Sequence, residues 1–371
     1  MRDALDPLQK PIEHLLVLGD PLADAVIRDW ENADTAMRSL FMRGAQYGVE
    51  TIAQAPASFV ALLRDAELAS ASAPSVSWRR AAEHYLVVGH QWIGLTQGLG
   101  ALAFTYADPQ IAAILMRTGK LSGAMASRRL LETLIWNRQL LKPDSLVVGG
   151  HGYIHTLQVR LLHARVRAGL MGEGHGATPS MPIDQREMVH TWLGFSVVTL
   201  SALQKVGFDF TQEMLADIFC MWQLVGRLLG IHSKLLEQMR TLDLAQQMLE
   251  RIHAESTPLS ADSLALTHMM VEAMSPQLSA TMQLPQEVTL LLVHSLLRLY
   301  HGDELAERLG LSSNWTTALL PMMFDANRYR QQRAHQDPAF RQFLINQSRR
   351  AIETIEARLE GPTAYQTGVT P

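Results

Sequence analysis

The stretch Thr156-Leu-Gln-Val-Arg160-Leu-Leu-His163-Ala-Arg-Val-Arg167 decides how this chain is read, because it sets a histidine and three arginines in one apolar, helix-forming run. In a helix, Thr156, Arg160, His163 and Arg167 fall at steps of four, three and four, which stacks them in a single stripe. Val159, Leu162, Val166 and Leu170 lie directly beside it. Burying an unpaired charge costs several kcal/mol, so cations along a buried helix face call for an anion or a cofactor to meet them.

The composition narrows the choices. With 371 residues, 47% hydrophobic and 18% charged, the chain has ample material for a large buried core. A net charge of -4 leaves no excess of Lys and Arg to neutralise phosphates, which argues against nucleic acid as a partner. The lone cysteine, Cys220, sits in the apolar run Asp217-Ile-Phe-Cys-Met-Trp222 and reads as a small core residue. Without a second cysteine there is no intrachain disulfide, thiolate zinc cluster or thioether attachment for a cofactor. The N-terminal stretch carries acidic residues and a proline where a secretory signal needs a basic start and an apolar run. The longest apolar runs, such as Val288-Thr-Leu-Leu-Leu-Val-His-Ser-Leu-Leu297, are too short to span a bilayer. A cytoplasmic protein with no integral membrane segment is expected.

Helical periodicity dominates the chain, and alternating strand patterns are almost absent. It predicts helices over about 21–30, 34–47, 57–69, 76–87, 90–106, 108–118, 121–141, 151–171, 183–205, 211–225, 226–236, 241–253, 260–275, 285–300, 301–309, 314–324 and 336–359. Breaks fall at Asp20-Pro21, Ser72-Ala-Pro74, Lys142-Pro143, Gly172-Glu-Gly-His-Gly176, Thr257-Pro258 and Leu284-Pro285. The pattern resumes across each break, giving one domain over 1–360 and an unstructured tail over 361–371. Gly94, Gly98, Gly100 and Ala101 share one helical stretch, so either another backbone or a flat ligand approaches it closely.

Three further segments carry polar residues on apolar helices. Arg129, Glu132, Thr133 and Trp136 share a face; Met188, Thr191, Phe195 and Val198 share another; Gln223 aligns with Arg227. Taken singly, the arginines suit ion pairs to neighbouring helices, the threonines suit bonds back to their own helix, and His163 suits a satisfied core histidine. His151, His155 and His175 lie near glycines and suit caps or a loop site. No Gly-x-Gly-x-x-Gly, P-loop, His-Glu-x-x-His, paired Glu-x-x-His or Gly-x-Ser-x-Gly pattern occurs in a suitable setting. What remains is one histidine amid arginines and apolar walls. A haem, whose iron needs an axial ligand and whose propionates need cations, matches all of them.

The order Arg129-x-x-x-Thr133, Gly149-Gly-His-Gly152, Val159-Arg-Leu-x-His163-Ala-x-Val-Arg167, Pro182-Ile-x-Gln185, Thr191-Trp192 and Trp222-Gln-Leu-x-x-x-Leu-Leu-Gly230 resembles a known pattern. It is similar to the catalytic domain shared by latex-clearing proteins (rubber oxygenases) and MpaB-type oxygenases, over about residues 80–240. The resemblance implies an all-α fold, a globin-like helical core with additional N- and C-terminal helices, binding haem b and using O2. Carried over by motif, His163 is the proximal iron ligand and Arg167 sits by the haem. Arg129 and Thr133 line the haem-contacting side, and Thr191 is a further pocket residue. Latex-clearing proteins can carry a lysine ligand just before the pocket threonine, where this chain has Glu132. Their acidic base has no counterpart in Pro109-Gln-Ile-Ala-Ala113, and their export signal is not seen. The expectation is an oxygenase acting on an apolar, olefinic or isoprenoid-like substrate, small or oligomeric. In it Glu132, Arg129 and Thr133 do the chemistry. The alternatives are a non-catalytic haem-binding or gas-sensing helical protein, and an apolar-ligand carrier whose arginines serve buried ion pairs.

Overall fold

The computed structural model describes residues 13–31, 35–118, 123–172, 181–254, 258–357 and 363. The expected tail lies outside these apart from Thr363, as does His175 with the glycine-rich turn around it. Among the described residues every regular element is a helix, as expected for an all-α chain. Buried apolar side chains form one connected core running from Leu15 to Ile352.

Two helices, Ser75–Val88 and Gln212–Leu228, pack along each other in the interior. Large aromatic residues tie them together without stranding polar atoms. The Trp222 indole N–H donates to the Tyr85 hydroxyl at 3.0 Å, and the Trp192 indole donates to the Trp222 carbonyl at 2.7 Å. The His151–Gly172 helix lies between Pro21–Glu31, Gly123–Gln139 and Gln212–Leu228. Ala261–Met282 covers Pro109–Thr118 and Gly123–Gln139 from the other side.

The stretch His90–Tyr106 contains a π-helical segment, Thr96–Leu102, which packs on a second one, Gly194–Val198. A Cβ on Gly194 would stand 3.2 Å from the Ala101 carbonyl, and one on Gly100 would stand 3.4 Å from the Ala202 Cβ. Gly100 therefore serves a tight helix crossing, whereas Gly98 faces the Met274 side chain and Gly94 the Arg138 guanidinium. Among the described residues no single helix is long and apolar enough to cross a membrane. His90–Tyr106 and Pro109–Thr118 qualify only as a pair, bent by 101°.

Three boundaries differ from expectation for physical reasons. The helix expected to stop at 275 runs through Pro276 to Met282, because Leu278 and Met282 still pack on the core. Gly226, expected to open a new helix, lies inside Gln212–Leu228, where a side chain would strike the Trp192 indole. The helix Leu320–Gln336 extends far past the expected 324. Its second half is polar, and it docks by hydrogen bonds to loop backbone instead of by an apolar stripe. Asn327 donates to the Val206 carbonyl at 2.8 Å, Gln331 to Asp209 at 2.6 Å, and Arg330 to Val88 at 2.9 Å.

A polar seam fixes the His151–Gly172 helix. Arg160 is 3% exposed and forks onto Asp20, with Nε–Oδ2 at 2.6 Å and a second bond at 3.0 Å, and reaches Asp65 at 3.3 Å. Two turns on, Arg167 donates to Asp24 at 2.9 Å and to the Ile183 carbonyl at 2.7 Å. Gln185 closes the seam, donating to the carbonyls of Gly19 and Gly230 and accepting from the His232 N–H at 2.8 Å. Gly230 has φ 89°, and a Cβ there would fall onto the Asp20 carboxylate and within 2.6 Å of Arg160 Nε. Gly230→Ala is expected to lower the unfolding free energy by about 2–4 kcal/mol, from backbone strain plus displacement of the pair. Gly169 lies in an open part of the same helix as Arg160, and a Cβ there would meet nothing within 4 Å. Gly169→Ala should raise stability by up to about 1 kcal/mol. Urea denaturation of the two variants measures both, and a Gly230→Ala protein as stable as its parent would contradict the packing described.

Candidate functional site

Beside this seam the helices enclose a cavity of about 270 Å³. Leu102, Tyr106, Ile111 and Leu115 form one wall, and Arg129, Glu132, Thr133 and Trp136 another. Val159, Leu162, His163 and Val166 face it from the His151–Gly172 helix, and Ile183, Glu187, Met188, Thr191 and Phe195 close it.

The opening stripe is divided between two surroundings. At about 100° per residue, Arg160 and Arg167 lie some 40–60° to one side of His163, and Val159 and Val166 as far to the other. The arginines face Asp20 and Asp24, whereas the valines face the cavity. His163 sits on the border and joins the cavity wall. Arg167, expected beside the cofactor, is not among the cavity-lining residues; its guanidinium is held by Asp24 and the Ile183 carbonyl. Arg160, whose role the sequence left open, is a helix-to-helix ion pair.

Burial, helped by the Arg167 charge, lowers the His163 pKa to about 4, so the imidazole is neutral at physiological pH. Its Nδ1 is buried with no hydrogen-bond partner. Such a ring has an uncommitted lone pair or N–H, which is the form a metal ligand takes. Arg129 donates to the Leu115 carbonyl at 3.3 Å, and burial lowers its pKa. It is the only Arg or Lys lining the cavity among the described residues. Thr133 donates back to the Arg129 carbonyl at 3.0 Å, the ordinary helix bond expected of it. Glu132 is 6% exposed and accepts from Arg128 Nε at 3.0 Å. Thr191 stands on the cavity wall, and Trp136 donates to Thr156 at 3.1 Å. The Gln223–Arg227 alignment proves structural: Gln223 bonds the Met239 carbonyl and Arg227 the Ser72 hydroxyl.

Sequence reading missed Glu187. It lies four residues before Thr191, on the same face, and that spacing was the available signal. Burial, then the nearby Asp184 and Asp108 charges, raise its pKa to about 8.

Residues 85–329 match the family model described as ER-bound oxygenase mpaB/B′/rubber oxygenase, catalytic domain. The match reaches well past residue 240, so the later helices belong to the family pattern as well. The chain is also similar to a solved structure of latex clearing protein LCP in the closed state, with a TM-score of 0.64 and 18% identity. That likeness covers 90% of this chain and 88% of the other, and at such identity it is one of fold. No curated protein matches the sequence.

The buried histidines give the fold a pH signature. His155, His163, His190 and His301 are each lowered from 6.5 to about 4, chiefly by burial. The unfolded chain takes up these protons near 6.5 and the folded chain only near 4, so stability is full above that window and falls as pH drops through it. Denaturation of the protein should show progressive loss of stability on acidification, and His163→Leu should show a shallower loss. An unchanged slope would mean that His163 is not held neutral.

Proposed function

The chain belongs to the family of mpaB and rubber-oxygenase catalytic domains, and from that premise we propose that it is a haem b-dependent oxygenase with His163 as the proximal iron ligand. Its substrates are O2 and an apolar, olefinic or isoprenoid-like molecule. The observation that carries this reading is the neutral His163 imidazole, with an unpartnered nitrogen, on the wall of a largely apolar cavity.

The donor set suits the group. Among the described residues no three His, Cys, Asp or Glu side chains converge to hold a metal ion. An iron at His163 would therefore need only this one protein ligand, with a macrocycle supplying further donors. Leu162, Val166, Met188 and Phe195 offer the apolar surface that a flat ring needs. When bound, haem supplies the redox-active iron at which O2 reacts.

The remaining work falls to this chain's own side chains. Arg129 is the wall cation, placed to meet an anionic edge or a developing negative charge. Thr133 and Thr191 add hydroxyls to the same wall, and the apolar residues exclude water and orient the substrate by shape. Glu132 lines the cavity and accepts from Arg128, whose side chain is 34% exposed; its carboxylate can take up a proton at the cavity wall while the guanidinium balances its charge. Arg167 acts at one remove: by gripping Asp24 and the Ile183 carbonyl, it holds the His163 helix against the segment that carries Ile183.

The test is an ultraviolet-visible spectrum of the purified protein, ferric and then reduced under CO. A Soret band that shifts with CO is expected, and His163→Ala should lose haem or its spectrum. A protein that takes up no haem on reconstitution, or a His163→Ala variant with the parent's spectrum and affinity, would overturn the assignment. A spectrum indifferent to O2, CO and substrate would indicate a haem protein without turnover.

A further inference from the structure

Glu187 has no part in the scheme above. It lies in the first turn of the Gln185–Leu193 helix, where the N-cap Asp184 accepts from the Glu187 N–H at 2.9 Å. An Asp-x-x-Glu pair at a helix start ordinarily uses the glutamate to complete the cap. Backbone N–H groups of Ile183 and Asp184 do stand against this carboxyl. Capping alone leaves a glutamate at the solvent rim, however, and this one is on the cavity wall. It is 7% exposed, and its Oε2 is buried without a hydrogen-bond partner. The two backbone N–H groups favour a charged carboxylate but are outweighed by burial, and the protonated form offers a donor that awaits an acceptor.

The groups around it agree with the protonated form. On its own helix, Arg186 is held by Asp108 at 3.0 Å, and His190 is neutral and stacked on Phe104. Asp184 and Asp108 add negative charge nearby, which opposes ionisation of Glu187. From the His151–Gly172 helix, Arg167 is held by Asp24, and His163 is uncharged. Across the cavity stand Tyr106, Arg129, and Glu132 with its partner Arg128. Among the described residues no ion pair reaches Glu187 from any of these.

We propose that Glu187 is a neutral carboxylic acid whose O–H binds an acceptor oxygen on the molecule in the cavity. The ligand class that follows is an apolar chain bearing a carbonyl or hydroxyl oxygen, in preference to a pure hydrocarbon. The proposal deepens the oxygenase reading and rests on its assignment of this cavity as the substrate site. It involves no covalent step: the proton stays on Glu187 and is shared with the ligand.

Two measurements on the full chain without haem test it. Infrared spectra should contain the carbonyl stretch of a protonated carboxylic acid that fades as pH rises through about 8 and is missing in Glu187→Gln. Binding of a decane probe and of the methyl ketone of equal chain length should then separate. Ketone affinity should fall roughly three- to tenfold as the carboxyl ionises, the loss of one hydrogen bond, while decane affinity stays level. Glu187→Gln keeps a donor, so its ketone affinity should no longer depend on pH. An infrared band unchanged by the substitution, or ketone and decane affinities that follow pH alike, would overturn the proposal. Should the variant fail to fold, the parent's infrared titration and the paired probes still decide. Because neither readout uses haem, a missing Soret band sinks the cofactor assignment without touching this result, and the converse also holds.

Discussion

The geometry of this protein depends on the buried fork between Arg160 and Asp20. Such a pair gives little net stability over an apolar replacement of the same volume, since both charges lose their water. Its effect is on which arrangement is allowed. Arg160 and Arg167 are two turns apart on one helix, and both find carboxylates on the Pro21–Glu31 segment or its N-cap. Rotating the helix by one residue would leave two guanidiniums in the core without partners. The tolerated rotation is the one that turns Val159, His163 and Val166 to the cavity. Gly230 and Gln185 bring a third piece of chain onto the same fork, so the entry to the Gln185–Leu193 helix is set by the same constraint.

This explains why some features were legible in the sequence and others were not. Helix-period burial is a local pattern, and it located nearly every helix whose docking face is apolar. Leu320–Gln336 escaped because its docking face is amide and guanidinium groups bonded to distant carbonyls, which leave no hydrophobic period. The place of His163 on an apolar wall was legible because a histidine among valines and leucines stands out. The partner of Arg167 was not, since the stripe that contains it faces two ways and only the position of Asp24, 143 residues earlier, shows which. Glu187 was hidden by its own local role: Asp184-Gln-Arg-Glu187 reads as a helix cap, and nothing local says that the cap faces a cavity.

The cavity combines polar atoms with little formal charge. Burial holds His163 neutral and favours a neutral Glu187, and it raises the Tyr106 hydroxyl pKa. Charge on this wall is confined to Arg129 and to Glu132, whose carboxylate is compensated by Arg128. That distribution suits an apolar guest, which would otherwise strip water from several ions at once. It also divides the work by helix. The Gly123–Gln139 helix supplies the charged groups of the wall, while the Gln185–Leu193 helix supplies a carboxyl that burial favours in its neutral form.

Glu132 stands just before Thr133, where the resemblance read from the sequence allows a lysine. A lysine just before the pocket threonine would be a neutral amine at best when bound to a metal, and a cation otherwise. A glutamate at that position is an acceptor, and it recruits Arg128 one helical turn earlier as its counter-ion. The exchange places a guanidinium that opens toward solvent next to a carboxylate that lines the cavity. The ion pair thus links the cavity wall to a partly exposed cation on the same helix. The two adjacent basic groups, Arg128 and Arg129, then differ in surroundings: one neutralises the carboxylate, and the other lines the cavity.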